Sequence, residues 1–180
     1  VLALFTTAIV ILVSGGPEGM NFGASFSPDQ IFIGGFAGGA GIAIAFAFAS
    51  FIGFEATAIY GEESNNPKRI VPRATYWAIG IITGLFAITS FAMVTGMGAS
   101  KIIDEVVARS AVEGVPLANP AGVLFSLTDQ YVGSWMTQLM SVLVLSSLFA
   151  GLLAFQNATS RYFFALGRGG VLPTRFGMTN

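Results

Sequence analysis

"FIGFEATAIYGEESNNPKRIVPRATYWAIG", residues 51–80, sets an acid into apolar sequence. Glu55 follows an apolar run, and downstream come Glu62, Glu63, Pro67, Lys68, Arg69, Pro72 and Arg73. The surrounding composition decides what kind of protein holds such an acid. Hydrophobic residues make up 54% of the 180 and charged residues only 9%, with 23 Gly and 17 Phe, a strong departure from soluble domains. An all-α integral membrane protein is expected, with the lipid bilayer as its surroundings.

The chain has no Cys and no His, which removes zinc sites of the usual ligand types, Ser-His-Asp triads and Cys-His pairs. No metal centre, cofactor or enzymatic activity is expected. A net charge of −1 without a basic stripe speaks against a nucleic-acid partner.

The opening "VLALFTTAIVILV", residues 1–13, starts at Val1 rather than Met. It is too short for a hydrocarbon core of roughly 30 Å, which takes about 20 helical residues. It reads as the second half of a helix in a fragment; a signal peptide would want a basic start and a small-residue cleavage box. Hydropathy then places membrane spans at about residues 1–14 (truncated), 34–60, 75–97 and 135–157. Lys68, Arg69 and Arg73 follow the second span and Arg161, Arg168 and Arg175 the fourth, whereas Lys101 and Arg109 lie on the other side. The basic excess puts residues 61–74 and the C-terminal end in the cytoplasm and residues 15–33 and 98–134 outside, in a multi-pass protein of the cell membrane.

The outer segment has its own pattern. "NPAGVLFSLTDQYVG", residues 119–133, predicts a short helix with Asn119 as N-cap, Pro120 at the first helical position and Gly133 as its end. Upstream, Ile102, Ile103, Val106 and Val107 are assigned to one helix face and Asp104, Glu105 and Arg109 to another. A lid on the membrane body and a plain surface loop are both open readings. In the fourth span Ser134, Gln138 and Ser141 share a face expected to turn toward other helices.

The second span carries the conflict. An interior Gly costs a helix about 1 kcal/mol relative to Ala, and an acid at mid-membrane costs roughly 2.5–3.5 kcal/mol or more on insertion scales. Gly53 and Glu55 put both costs at one place. A discontinuous helix over residues 34–66, broken near 51–55, accommodates them, because irregular backbone at membrane depth is tolerated against a polar cavity. The competing reading makes Glu55 an interfacial acid, about 10 Å deep when counted back from Glu62 along an unbroken helix. Gly34, Gly35, Gly38, Gly39 and Gly41 have small-residue packing spacing and lack the features of a phosphate loop.

At this point the residues resemble a family. "FIGFEATAIYGEESNNPKRIVPRAT" is similar to the sixth helix and following loop of amino acid, polyamine and organocation transporters of the amino acid permease type. "FQNATSRYFFALGRGGVLP" resembles the end of their eighth helix and its continuation. The resemblance implies part of the five-plus-five inverted-repeat fold, from the end of helix five to the loop after helix eight. It also implies transport of an amino acid or related amine by alternating access. Carried over residue by residue, it implies substrate contacts at Ala49, Phe51, Ile52, Gly53 and Phe54, with the Ala49 and Ile52 carbonyls receiving a substrate ammonium, and gating or coupling at Glu55 and Phe48. Ordinary packing is an equal reading for Phe48 and Phe51. Ala49 stands where some relatives have a tryptophan, which suggests a smaller or apolar substrate. Sodium-coupled relatives place hydroxyls where this chain has Ala150 and Gly151, though Ser146 and Ser147 lie one turn earlier; a proton is favoured over sodium as coupling ion. The rival readings are a membrane channel and a non-transport sensor or structural protein. A channel would want polar rings on several helices.

Overall fold

The computed structural model describes residues 1–28, 32, 35, 39–53, 66–112, 114–115 and 118–178. Among them the chain is helical, with no strand and a single bridge between Val112 and Val115. In chain order the helices are α1 (Leu2–Ser14), α2 (Phe22–Phe26), α3 (Gly39–Ala49), α4 (Pro67–Met97), α5 (Ile102–Ser110), α6 (Ala121–Tyr131) and α7 (Ser134–Arg168). A 3₁₀ turn follows at Thr174–Gly177. The residues form two compact units: Val1–Ile52 with Gly80–Ser141, and Gly53–Ile79 with Val142–Asn180.

α4 and α7 are the two described helices long and apolar enough to cross a membrane. Along α7, Leu145, Leu148, Phe149 and Leu152 are each more than 60% exposed, an arrangement that water would not tolerate and hydrocarbon would. Both helices outrun their apolar stretches. α4 begins at Pro67, eight residues before the hydropathic span, because hydropathy marks the hydrocarbon and not the end of hydrogen bonding. Asn66 starts that helix, its backbone carbonyl accepting the Arg69 and Ile70 N–H groups; residues 54–65 of the expected discontinuous helix lie outside the described residues. Pro67 lies in the first turn, where a missing N–H costs nothing, and Pro72 removes one further bond.

The first unit is built on α1, the end of α4, α5 and α6. Ala8, Ile11, Ala92, Met97, Val123 and Leu127 form its core, with Leu12, Met93, Ile102, Val106 and Tyr131 packed against it. A neighbouring residue on a helix is rotated by about 100°, so Ile102 and Ile103 cannot both face this core. Ile102 and Val106 pack; Ile103 stays 73% exposed and Val107 is exposed as well, which corrects the four-residue apolar face. Arg109 is likewise not simply outward: it pairs with Glu105 at 2.8 Å and donates to Ser126 Oγ and Gln130 Oε1 of α6. α5 and α6 are thereby stitched into one helical hairpin.

The start of α6 differs by one residue from expectation. Pro120 precedes its first residue, no side chain caps it, and Asn119 contributes its backbone carbonyl to the Gly122 N–H. α6 ends at Tyr131, the Val132 and Gly133 N–H groups both reaching the Thr128 carbonyl, and Gly133 then turns the chain with a φ of 114°. On α7 the packed face is Met136 and Met140, with Met140 Sδ accepting from the Thr7 and Thr128 hydroxyls. Ser134, Gln138 and Ser141, expected on the packed face, are exposed.

Candidate functional site

α3 is apolar throughout and, within the described residues 39–53, ends at Ala49. Its last α-type bond joins the Ser50 N–H to the Phe46 carbonyl at 2.9 Å. After it the winding tightens: Phe51 donates to Phe48 at 3.1 Å and Ile52 to Ala49 at 3.2 Å, both across three residues. The Ser50 hydroxyl joins this end by donating to the Ala47 carbonyl at 2.7 Å. Gly53 then takes φ 106°, a conformation that L side chains rarely adopt. A Cβ built there meets no atom within 4 Å, so backbone conformation and not crowding is what Gly serves.

Five of the expected site residues therefore fall within one turn. Phe48 and Ala49 close α3, Phe51 and Ile52 form the turn, and Gly53 ends it. Phe54 and Glu55 lie outside the described residues. Phe48 is 76% exposed and Ile52 67%, while Phe51 rests edge-on against Phe86 of α4 with ring centroids 6.0 Å apart. Phe51 thus has a packing partner within its own unit. The Ala49 carbonyl already takes the Ile52 N–H and has its second lone pair for another donor. The C-terminal end of a helix carries partial negative charge, so the end of α3 favours a cation such as an ammonium group.

A cavity of about 20 Å³ among Leu4, Thr7, Ile11, Thr89, Met93 and Leu127 has room for a water-sized body and not for an amino acid. It is a packing gap.

One polar cluster escaped sequence reading. Glu18, in the turn after α1, accepts the Ser100 N–H at 3.2 Å and the Ser100 hydroxyl, just before α5 begins. Gly16 lies so close to Thr95 that a Cβ would collide with the Thr95 carbonyl, and the Tyr131 hydroxyl donates to the Gly96 carbonyl at 2.9 Å. The helical hairpin is thus fastened at entry and exit. The 82-residue separation of Glu18 and Ser100 leaves no local sequence signal. The Ser100 hydroxyl, then the Ser100 N–H, lower the Glu18 pKa below its ordinary value, helped by Lys101. A lowered carboxylate pKa means the fastening holds above the ordinary value and is lost as pH falls through the lowered one. The protection of the Ser100 amide, its exchange rate relative to an unstructured peptide at the same pH, is expected to fall at acid pH in the wild type. In Glu18→Gln that protection should be low already at neutral pH and should not change further with acidification; the same acid response of protection in both proteins would contradict this role.

Comparison with known proteins places the chain in a family. The amino acid permease family profile matches residues 1–180. The branched-chain amino acid permease BcaP of Lactococcus lactis subsp. cremoris is 31% identical over 148 residues, 81% of this chain and 29% of that permease. The permease of the same name from Bacillus subtilis is 27% identical over 139 residues, 76% of this chain and 26% of its own length. An uncharacterized transporter of Legionella pneumophila is 25% identical over 179 residues, 96% of this chain and 35% of that protein. The chain thus spans about a third or less of these relatives. No solved structure matches it. A profile covering every residue, over a membrane-apolar helical chain, makes this chain a member of the amino acid permease family of the amino acid, polyamine and organocation superfamily.

Proposed function

We propose that the protein is a secondary transporter of the cell membrane that carries an amino acid by alternating access. In the five-plus-five inverted-repeat fold this chain would supply the end of helix five and helices six to eight. The carrying observation is the end of α3 at Ala49 followed by the positive φ of Gly53, within sequence too apolar for a loop in water. There the Ala49 and Ile52 carbonyls receive the substrate ammonium at the negative end of a half-helix. Phe48 and Phe54 flank the substrate, and Phe51 backs the turn from Phe86. Glu55 opens the second half-helix and ties the broken backbone ends together.

An apolar amino acid is the favoured substrate. Two relatives are named for branched-chain amino acids, and Ala49 leaves room where a bulkier residue would close the pocket. A proton is the favoured coupling ion. Ala150 and Gly151 offer no side-chain oxygen to sodium.

Uptake of labelled leucine into vesicles holding the full-length protein tests this. An inward proton gradient should raise uptake several-fold, unlabelled isoleucine and valine should compete, and replacing sodium by choline should change little. Vesicles that take up no amino acid above protein-free controls would sink the proposal.

A further inference from the structure

The described part of the second unit has a one-sided charge, its acids Glu55, Glu62 and Glu63 lying outside the described residues. Six of the chain's eight bases belong to it, and among its described residues there is no Asp or Glu. Arg69 and Arg73 stand one turn apart at the start of α4, both exposed, a like-charge arrangement that disfavours itself unless an anion lies between the guanidinium groups. At 100° per residue, Arg69, Arg73, Tyr76 and Trp77 fall within one arc of the helix. Tyr76 is 77% exposed and Trp77 71%.

The order along the helix is informative. Arg69 to Arg73 is about 6 Å of rise and Arg69 to Trp77 about 12 Å, after which α4 is apolar as far as Met97. Two guanidinium groups outermost, two amphipathic rings beneath them and hydrocarbon-matching sequence below reproduce the layering of a phospholipid: phosphate, glycerol region, acyl chains. Guanidinium binds phosphate through paired N–H donors, and the rings hold their polar edges at the headgroup boundary.

We propose that this face of α4 binds an anionic phospholipid of the surrounding bilayer, with Arg69 and Arg73 on the headgroup phosphate and Tyr76 and Trp77 against the glycerol and upper acyl region. The occupant is a lipid rather than soluble phosphate because the aromatic half of the face needs an apolar partner that inorganic phosphate lacks. Glu62 and Glu63, outside the described residues, are the rival partners for the two arginines.

Trp77 itself reports the binding. In full-length protein with its other tryptophans changed to phenylalanine, reconstituted into phosphatidylcholine vesicles, Trp77 fluorescence is titrated with phosphatidylglycerol or phosphatidylcholine brominated near the headgroup. Quenching should favour the anionic lipid at least tenfold in relative affinity, at about fivefold per arginine. Arg69→Gln with Arg73→Gln should bring that preference to near one while transport-independent folding, read by helical circular dichroism, is retained. Equal quenching by both lipids in the wild type overturns the proposal, as does an unchanged preference in the double variant. So does absence of quenching by either lipid, which would mean that protein covers this face. Loss of the preference on adding tens of millimolar inorganic phosphate, at constant ionic strength, would assign the site to a soluble anion instead.

Discussion

Gly53→Leu is expected to abolish amino acid uptake, by about 100-fold or more, in protein made and folded at near wild-type levels. The two halves of that result have separate causes. Any L side chain at φ 106° carries a strain of about 1–3 kcal/mol, which the chain relieves by shifting the backbone of residues 49–53. That turn holds the carbonyls proposed to receive the substrate ammonium, and a displacement near 1 Å at a binding constellation costs about 100-fold. Folding, by contrast, is expected to be little affected, since among the described residues the added Cβ meets nothing within 4 Å. Gly53→Ala isolates the backbone effect and should lose most of the activity too. Wild-type uptake by well-expressed Gly53→Leu would show that the turn is not part of the substrate path.

Glu55→Gln carries the second large effect. The substitution keeps the shape of the side chain and removes its charge and titration. If Glu55 ties together the N–H groups that begin the second half-helix, the loss is that of one charge-assisted hydrogen bond, about 1.5–3 kcal/mol, or roughly a tenfold to hundredfold fall in transport. The remaining activity should follow the wild-type pH profile. A mutant that still binds substrate but loses the pH dependence would instead make Glu55 a proton-exchanging group that biases inward against outward states. Uptake measured from pH 5 to 8 in both proteins separates the two.

The class of protein was legible from composition, since an apolar chain of this kind leaves no soluble alternative. The pairing of Gly53 with Glu55 was legible as a conflict with a straight helix, because both penalties are local and additive along one segment. Among the described residues α3 ends at Ala49 and Gly53 takes a positive φ, while Glu55 lies outside them. Helix ends were read less well. Hydropathy stops at the edge of the hydrocarbon, whereas α4 starts at Pro67 and α7 runs on to Arg168 through polar sequence that still completes its own hydrogen bonds. Long-range fastenings were invisible: Glu18 with Ser100, Arg109 with Gln130 and Tyr131 with Gly96 join residues whose neighbours announce nothing of the partner. The face of Ser134, Gln138 and Ser141 is exposed, and the packed face of α7 in its unit is Met136 and Met140, where Met140 takes a hydroxyl donor on sulfur.

The central claim is that substrate sits against the turn that ends α3, and a cysteine placed there measures it most directly. Ala49→Cys adds a single sulfur atom at an exposed position and should retain transport. Its reaction with a charged, water-soluble thiol reagent is followed with and without saturating leucine, in full-length protein carrying no other reactive cysteine. Occupancy of the site by leucine should slow labelling at least several-fold, with a concentration dependence that matches the transport KM, while Ile103→Cys on the α5–α6 hairpin labels at one rate throughout. An active Ala49→Cys protein that labels equally fast with and without leucine would contradict the account.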